Sequence, residues 1–229
     1  MKLKKFASLL LAGVMAASML AGCQTTSNDQ PTQPEQPTTP ATGYSATVQG
    51  KLSTIAKVKL TLSDSTELDN ALDYAVGFAS ANKIGGWYLI DGMSFIDGGN
   101  NSTIGEVTKS VIEAMDANKD GLEAATINDV KNFLTPAVDN YDKDDQDIVF
   151  TYIINGQTSM NNVLELVAED ISENVMDNMS VLYNIGAGPN SEVPYYYTGS
   201  VSAKTVELAD GHGMSATFVA VELVRHIGK

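Results

Sequence analysis

The chain has 229 residues, with 14 basic and 28 acidic side chains, a formal charge of −14 and a sequence pI near 4.3. That balance excludes a nucleic-acid-binding surface, which needs clustered Lys and Arg; it repels anionic lipid overall and attracts cations. With one cysteine, the chain has no intramolecular disulfide.

Residues 1–22, MKLKKFASLLLAGVMAASMLAG, open with Lys2, Lys4 and Lys5 and continue as an apolar run, the layout of a secretion signal rather than of a folded element. Leu20, Ala21, Gly22 and Cys23 follow this run. They resemble the lipobox of bacterial lipoproteins. The resemblance implies that the leader is removed, that the Cys23 thiol receives a diacylglyceryl group, and that the mature chain is extracytoplasmic and held to a bacterial membrane by palmitate-like acyl chains. One acyl chain holds a protein only marginally, at about 0.8 kcal/mol per buried methylene, so the two or three chains of such a lipoprotein make the anchor stable. Losing three lysines with the leader takes the formal charge from −14 to −17.

Residues 23–43 form the tether. Beyond Cys23 they contain no aliphatic residue larger than alanine, and Pro31, Pro34, Pro37 and Pro40 recur every third position. That interval matches the polyproline II turn and predicts a semi-stiff spacer of about 3 Å per residue. Residues 44–229 have the length of a single domain with a sizeable core.

The domain begins with alternation in SATVQGKLSTIAKVKLTL, which predicts one or two strands. A helix follows, with Thr66 and Asp69 as a capping box and Leu68, Leu72, Ala75, Val76 and Ala79 on one face. GGWYLIDGMSFIDGG predicts a hairpin turning at Asp91 and Gly92. A second helix is expected from Thr103 and Glu106, with Ile104, Val107, Val111 and Met115 facing inward, and a third from Thr126 and Asp129, limited by Pro136.

After the acidic loop DNYDKDDQD, the run IVFTYIING reads as a strand ending at Asn155 and Gly156. A long helix from Asn162 aligns Val163, Val167, Ile171, Val175 and Met179 and ends before Gly186, Gly188 and Pro189. Two closing strands, YYYTGSVSAKTVEL and MSATFVAVELVRHI, are joined through Asp210, Gly211, His212 and Gly213. This order predicts an α+β fold, a mainly antiparallel sheet with helices packed on one face.

The candidate metal site lies between the second and third helices. Asp116, Asn118 and Asp120 stand at alternate positions, Gly121 follows where a calcium loop bends, and Leu122 offers a carbonyl at the next position. DANKDG resembles the first half of an EF-hand or dockerin calcium loop. The resemblance implies Ca2+ as the one cofactor to consider. The departure is at the bidentate position, which is Ile127, with Glu123 where an apolar residue is expected; Asp129 supplies the missing ligand if the loop carries a two-residue insertion.

Trp87 and Tyr88, with Tyr195 and Tyr197, are candidate aromatic contacts for a surface ligand, a glycan or a protein. Asp210, His212 and Ser215 are too close in one turn to act as a relay, whose members come from separate segments. The expectation is therefore a non-enzymatic binding lipoprotein, calcium-stabilised at residues 116–129. The alternatives are a cell-wall or glycan hydrolase using paired carboxylates and a substrate-capture lipoprotein of a transporter.

Overall fold

The computed structural model describes residues 43–81, 92–99, 102, 104–115, 126–134, 146–175, 182–184, 192–208 and 213–227. Cys23, the tether, Trp87, Tyr88, Asp116, Asn118, Asp120, Leu122, the acidic loop 139–145, Met179, Gly186, Gly188, Pro189 and the Asp210–His212 turn lie outside them.

The first described segment is helical, not extended. Helix α1 spans Tyr44–Lys51 and α2 spans Thr54–Lys59, leaving only Leu60–Leu62 as strand β1. The reason is a second periodicity in the same residues: Val48, Leu52, Ala56 and Leu60 recur every fourth position, and all four are buried. Ser53 starts α2 by accepting the Ala56 amide on Oγ at 3.1 Å.

Helix α3, Thr66–Ala81, buries Leu68, Leu72, Ala75 and Val76 as their spacing predicts. Its cap is Ser65, whose Oγ accepts the Leu68 amide at 3.1 Å, one residue before the expected Thr66. Strand β2, Met93–Ile96, follows Gly92, which has φ of 83°; Asp91 and the first strand of the predicted hairpin lie outside the described residues. Helix α4, Gly105–Ala114, is capped by Ser102 and buries Val107 and Val111, with Ile104 and Met115 inside at its ends. Helix α5, Ile127–Leu134, begins at the capping box anticipated from Thr126 and Asp129: Thr126 N donates to Asp129 Oδ2 at 2.7 Å, and Asp129 N donates to Thr126 Oγ1 at 3.2 Å.

Strand β3, Gln146–Asn155, leads through Gly156 into helix α6, Met160–Asp170, which continues as a π-helical turn at Ile171–Val175. Ser159 caps α6. Strand β4, Leu182–Asn184, then pairs with the start of β5, Glu192–Glu207, and β6, Ser215–Ile227, completes the chain.

The sheet order is β1-β5-β6-β3-β2. All neighbours along it are antiparallel except β1 and β5, which run parallel through Leu60–Leu62 against Tyr197–Gly199. The fold is α+β with a mostly antiparallel sheet. Its helices, however, cover both faces rather than one. Ile148, Phe150, Tyr152 and Ile154 of β3 and Val219, Val221 and Leu223 of β6 pack with α1, α5, α6 and the π-helical turn. Val149 and Ile153 of β3 and Ala216, Phe218 and Ala220 of β6 pack with α3 and α4. A sheet buried on both sides needs apolar residues at consecutive positions, and IVFTYII and ATFVAV have that pattern.

Candidate functional site

On the α3/α4 face, β6 changes character along its length. Ala216, Phe218 and Ala220 belong to the apolar core, and the next residues on that face are Glu222, Val224 and His226. The register sets Ser200 opposite Glu222, Thr198 opposite Val224 and Tyr196 opposite His226 on β5, while β3 brings Asp147 opposite Val224. A polar strip thus continues the sheet face beyond the hydrophobic cluster.

The strip is internally ordered. Ser200 Oγ donates to Glu222 Oε2 at 2.9 Å. Thr198 Oγ1 lies 2.7 Å from His226 Nε2, so the hydroxyl and the imidazole share a proton in a sense set by the histidine tautomer. The Tyr196 ring stacks on the His226 ring with centroids 4.6 Å apart and planes 16° from parallel. His226 and Ser200 are buried, whereas Tyr196, Thr198, Glu222 and Asp147 are half-buried and form the accessible edge. The serine hydroxyl thus donates to the carboxylate, and the threonine engages the imidazole.

The opposite face of the same strands explains the fate of Tyr195 and Tyr197. Both are buried, 8% and 1% exposed, so the aromatic contact surface expected of them is a correction: they belong to the core. Strand alternation sends them to the helix-covered face and leaves Tyr196 on the polar one. Tyr195 and Phe133 sandwich the buried Arg225 guanidinium, with 5.2 and 5.0 Å from its carbon to the ring centroids, and Arg225 Nη1 donates to the Phe133 carbonyl. That carbonyl lies in the last turn of α5, where a cation complements the helix dipole. Burial pushes the Tyr197 phenol up to about 12, opposed by Arg225 and assisted by Tyr195.

A second buried phenol lies nearer the π-helical turn. Tyr152 donates to Asp170 Oδ2 at 2.5 Å, and Asp170 Oδ1 accepts from Asn174 Nδ2 at 2.8 Å. Burial, and then the adjacent carboxylate, hold this phenol well above the usual tyrosine value.

Of the metal candidates, only Asp129 falls among the described residues. It is exposed, and Oδ2 is engaged by the Thr126 amide. Among the described residues no group of three or more His, Cys, Asp or Glu is placed to hold a metal ion. No protein-family model, curated protein or solved structure matches the chain. The site therefore rests on its geometry. Thr198, Ser200 and Glu222 are not candidates in the sequence, where their one signal is polar residues at alternate positions of two strands that are otherwise apolar.

Proposed function

We propose that the chain is a lipid-anchored, extracytoplasmic bacterial lipoprotein whose domain binds a surface ligand, a glycan or a protein, without turning it over. The lipobox ending at Cys23 supports the address, and the ordered polar strip on β5 and β6 supports the binding. An aromatic ring, hydroxyls and a carboxylate held on rigid strands suit a polyhydroxylated ligand: Tyr196 offers a ring to a sugar, and Thr198, Ser200 and Glu222 offer paired donors and acceptors. Calorimetric titration of the membrane-purified protein with cell-wall glycan fragments tests this. Saturable binding weakened about tenfold by Y196A or E222Q, at unchanged melting temperature, supports it; no binding, or binding indifferent to both changes, refutes it.

Calcium bound by Asp116, Asn118, Asp120, the Leu122 carbonyl and Asp129 belongs to the same proposal. The Thr126–Asp129 capping box favours it, because the exiting helix of such a loop begins this way.

The hydrolase reading has one specific observation in its favour. Asp147 and Glu222 are diagonal neighbours on the same face of adjacent strands, a relation that places residues about 7–8 Å apart, within the range used by paired catalytic carboxylates. Release of reducing ends from peptidoglycan, abolished by D147N and by E222Q, would establish it in place of simple binding.

A further inference from the structure

Helix α1 covers an open strand edge with side chains rather than with another strand. Among the described residues, β1 ends the sheet and pairs on one side, with β5. On its other side the Gln49 amide of α1 takes two outward backbone groups: Nε2 donates to the Leu60 carbonyl at 3.3 Å, and Oε1 accepts the Leu62 amide at 2.7 Å. Ser45, one turn earlier on the same side of α1, continues the seal at the Ser63 carbonyl and the Val201 amide. A carboxamide carries a donor and an acceptor as a peptide group does, so Gln49 fills the place of a neighbouring strand.

The cover is weakly held. Helix α1 has eight residues, no side-chain cap at Gly43, the β-branched Thr47 and Val48, and Gly50 in its last turn, all unfavourable for a helix. Its buried side chains are Ser45 and Val48, so Val48 alone contributes a fully buried apolar group. The Lys51–Glu165 pair at its end is solvated and adds little. Segments of this kind open at a lower cost than the whole domain.

The edge beneath is complementary to itself. Leu60 and Leu62 direct backbone groups outward, and Thr61 between them is exposed. Two copies related by a two-fold axis at Thr61 can therefore pair antiparallel, the Leu60 carbonyl of each meeting the Leu62 amide of the other, with the two Thr61 Cα atoms about 4.5 Å apart. The groups that Gln49 releases are both satisfied in this way.

We propose that α1 is a displaceable cover and that Leu60–Leu62 beneath it is a latent interface for a second copy of this chain. Closed, Gln49 and Ser45 keep copies apart; open, two copies pair edge to edge and join their sheets.

The test follows the full chain by sedimentation in density-matched detergent. Q49P removes the amide and breaks α1, and T61K sets like charges opposite each other across the two-fold axis. Q49P is expected to dimerise about a hundredfold more tightly than the wild type, because the open form is then the populated one. Adding T61K is expected to weaken that dimer about fivefold or more. A Q49P chain that stays monomeric with the rest of the domain folded overturns the proposal, as does a dimer that T61K leaves intact, which would place the contact on another surface. If Q49P does not fold, hydrogen exchange of the wild type decides. The Leu62 and Val201 amides are expected to exchange together, about tenfold or more faster than the Val221 amide in the middle of β6. Exchange of all three at one rate would mean that α1 never opens by itself, and would overturn the proposal.

Discussion

The Ser45 hydroxyl closes the backbone of Val201 across the edge of the sheet: the buried side chain accepts the Val201 amide at 3.0 Å and donates to the Ser63 carbonyl at 2.9 Å. Strand β1 pairs with β5 only through Gly199, so the next amide along would face apolar helix without a partner. One serine near the start of the domain thus stands in for a strand. S45A leaves a buried donor unsatisfied and is expected to cost about 1–3 kcal/mol in urea unfolding. A loss below about 0.5 kcal/mol would show that water or a shift of α1 replaces the hydroxyl.

Gly156 marks a close approach of two chain segments. A Cβ there would stand 2.3 Å from Ser215 Oγ and 2.6 Å from the Ser215 carbonyl carbon, next to the hydrogen bond from Gly156 N to Ser215 O at 2.9 Å. Moving a serine rotamer relieves only part of this clash, because the backbone is also in the way. G156A is expected to destabilise by about 1–3 kcal/mol, and adding S215A should recover only a minor part of it. Full recovery would locate the clash in the side chain alone.

The buried phenols give the domain an alkaline limit. Tyr152 and Tyr197 are both raised above the ordinary tyrosine value of 10.0, Tyr197 to about 12, by burial first in each case. Above pH 10 the unfolded chain releases these protons while the folded chain keeps them. The unfolded state then binds fewer protons, so stability falls as pH rises, by about 1.4 kcal/mol per pH unit for each tyrosine. The contribution is complete below pH 10 and, for Tyr197, is lost as pH rises through about 12. Chemical denaturation between pH 9 and 12 should show this decline, and Y152F should make it shallower by one tyrosine's share. A flat profile in the wild type would contradict the burial of both rings.

Helix starts supply a finer comparison between sequence and structure. The stripes Leu68, Leu72, Ala75, Val76 and Val163, Val167, Ile171, Val175 identify α3 and α6 because helical spacing has no competitor there. The caps sit earlier than the Thr66, Thr103 and Asn162 signals, at Ser65, Ser102 and Ser159, since several polar residues precede each helix and only the tertiary path selects one. At α1 and α2, alternation and a four-residue repeat coexist in the same letters, and packing of Val48, Leu52 and Ala56 against α6 and the sheet decides for the helix. Parallel pairing of β1 with β5 joins residues more than a hundred positions apart, and the coverage of both faces depends on contacts between separate elements, neither of which a local pattern encodes. The polar strip was hidden for the same reason: Thr198 and His226 look like scattered polar residues until the β5–β6 register sets them on one face. S65A is expected to cost about 1 kcal/mol, and T66A less than half of that; the reverse order would restore Thr66 as the cap.

The proposed metal site is tested by calcium dependence. If the carboxylate oxygen not used by the Thr126 amide completes a loop with Asp116 and Asp120, millimolar calcium should raise the melting temperature over that in EDTA. Calcium at 100 times its dissociation constant adds about 2.7 kcal/mol. D116N should abolish the response, while D129N should also weaken the start of α5 in EDTA, because it loses a charged cap as well. Identical melts in calcium and EDTA would remove the metal from the account.

The central claim is that a binding domain is held at a bacterial membrane through Cys23, and the mass of the mature N-terminal peptide tests it most directly. The account predicts that this peptide begins at Cys23 and carries a diacylglyceryl group on the thiol, with a C23S chain retaining residues 1–22. A mature chain that begins elsewhere, or that carries Cys23 with an unmodified thiol, would contradict it.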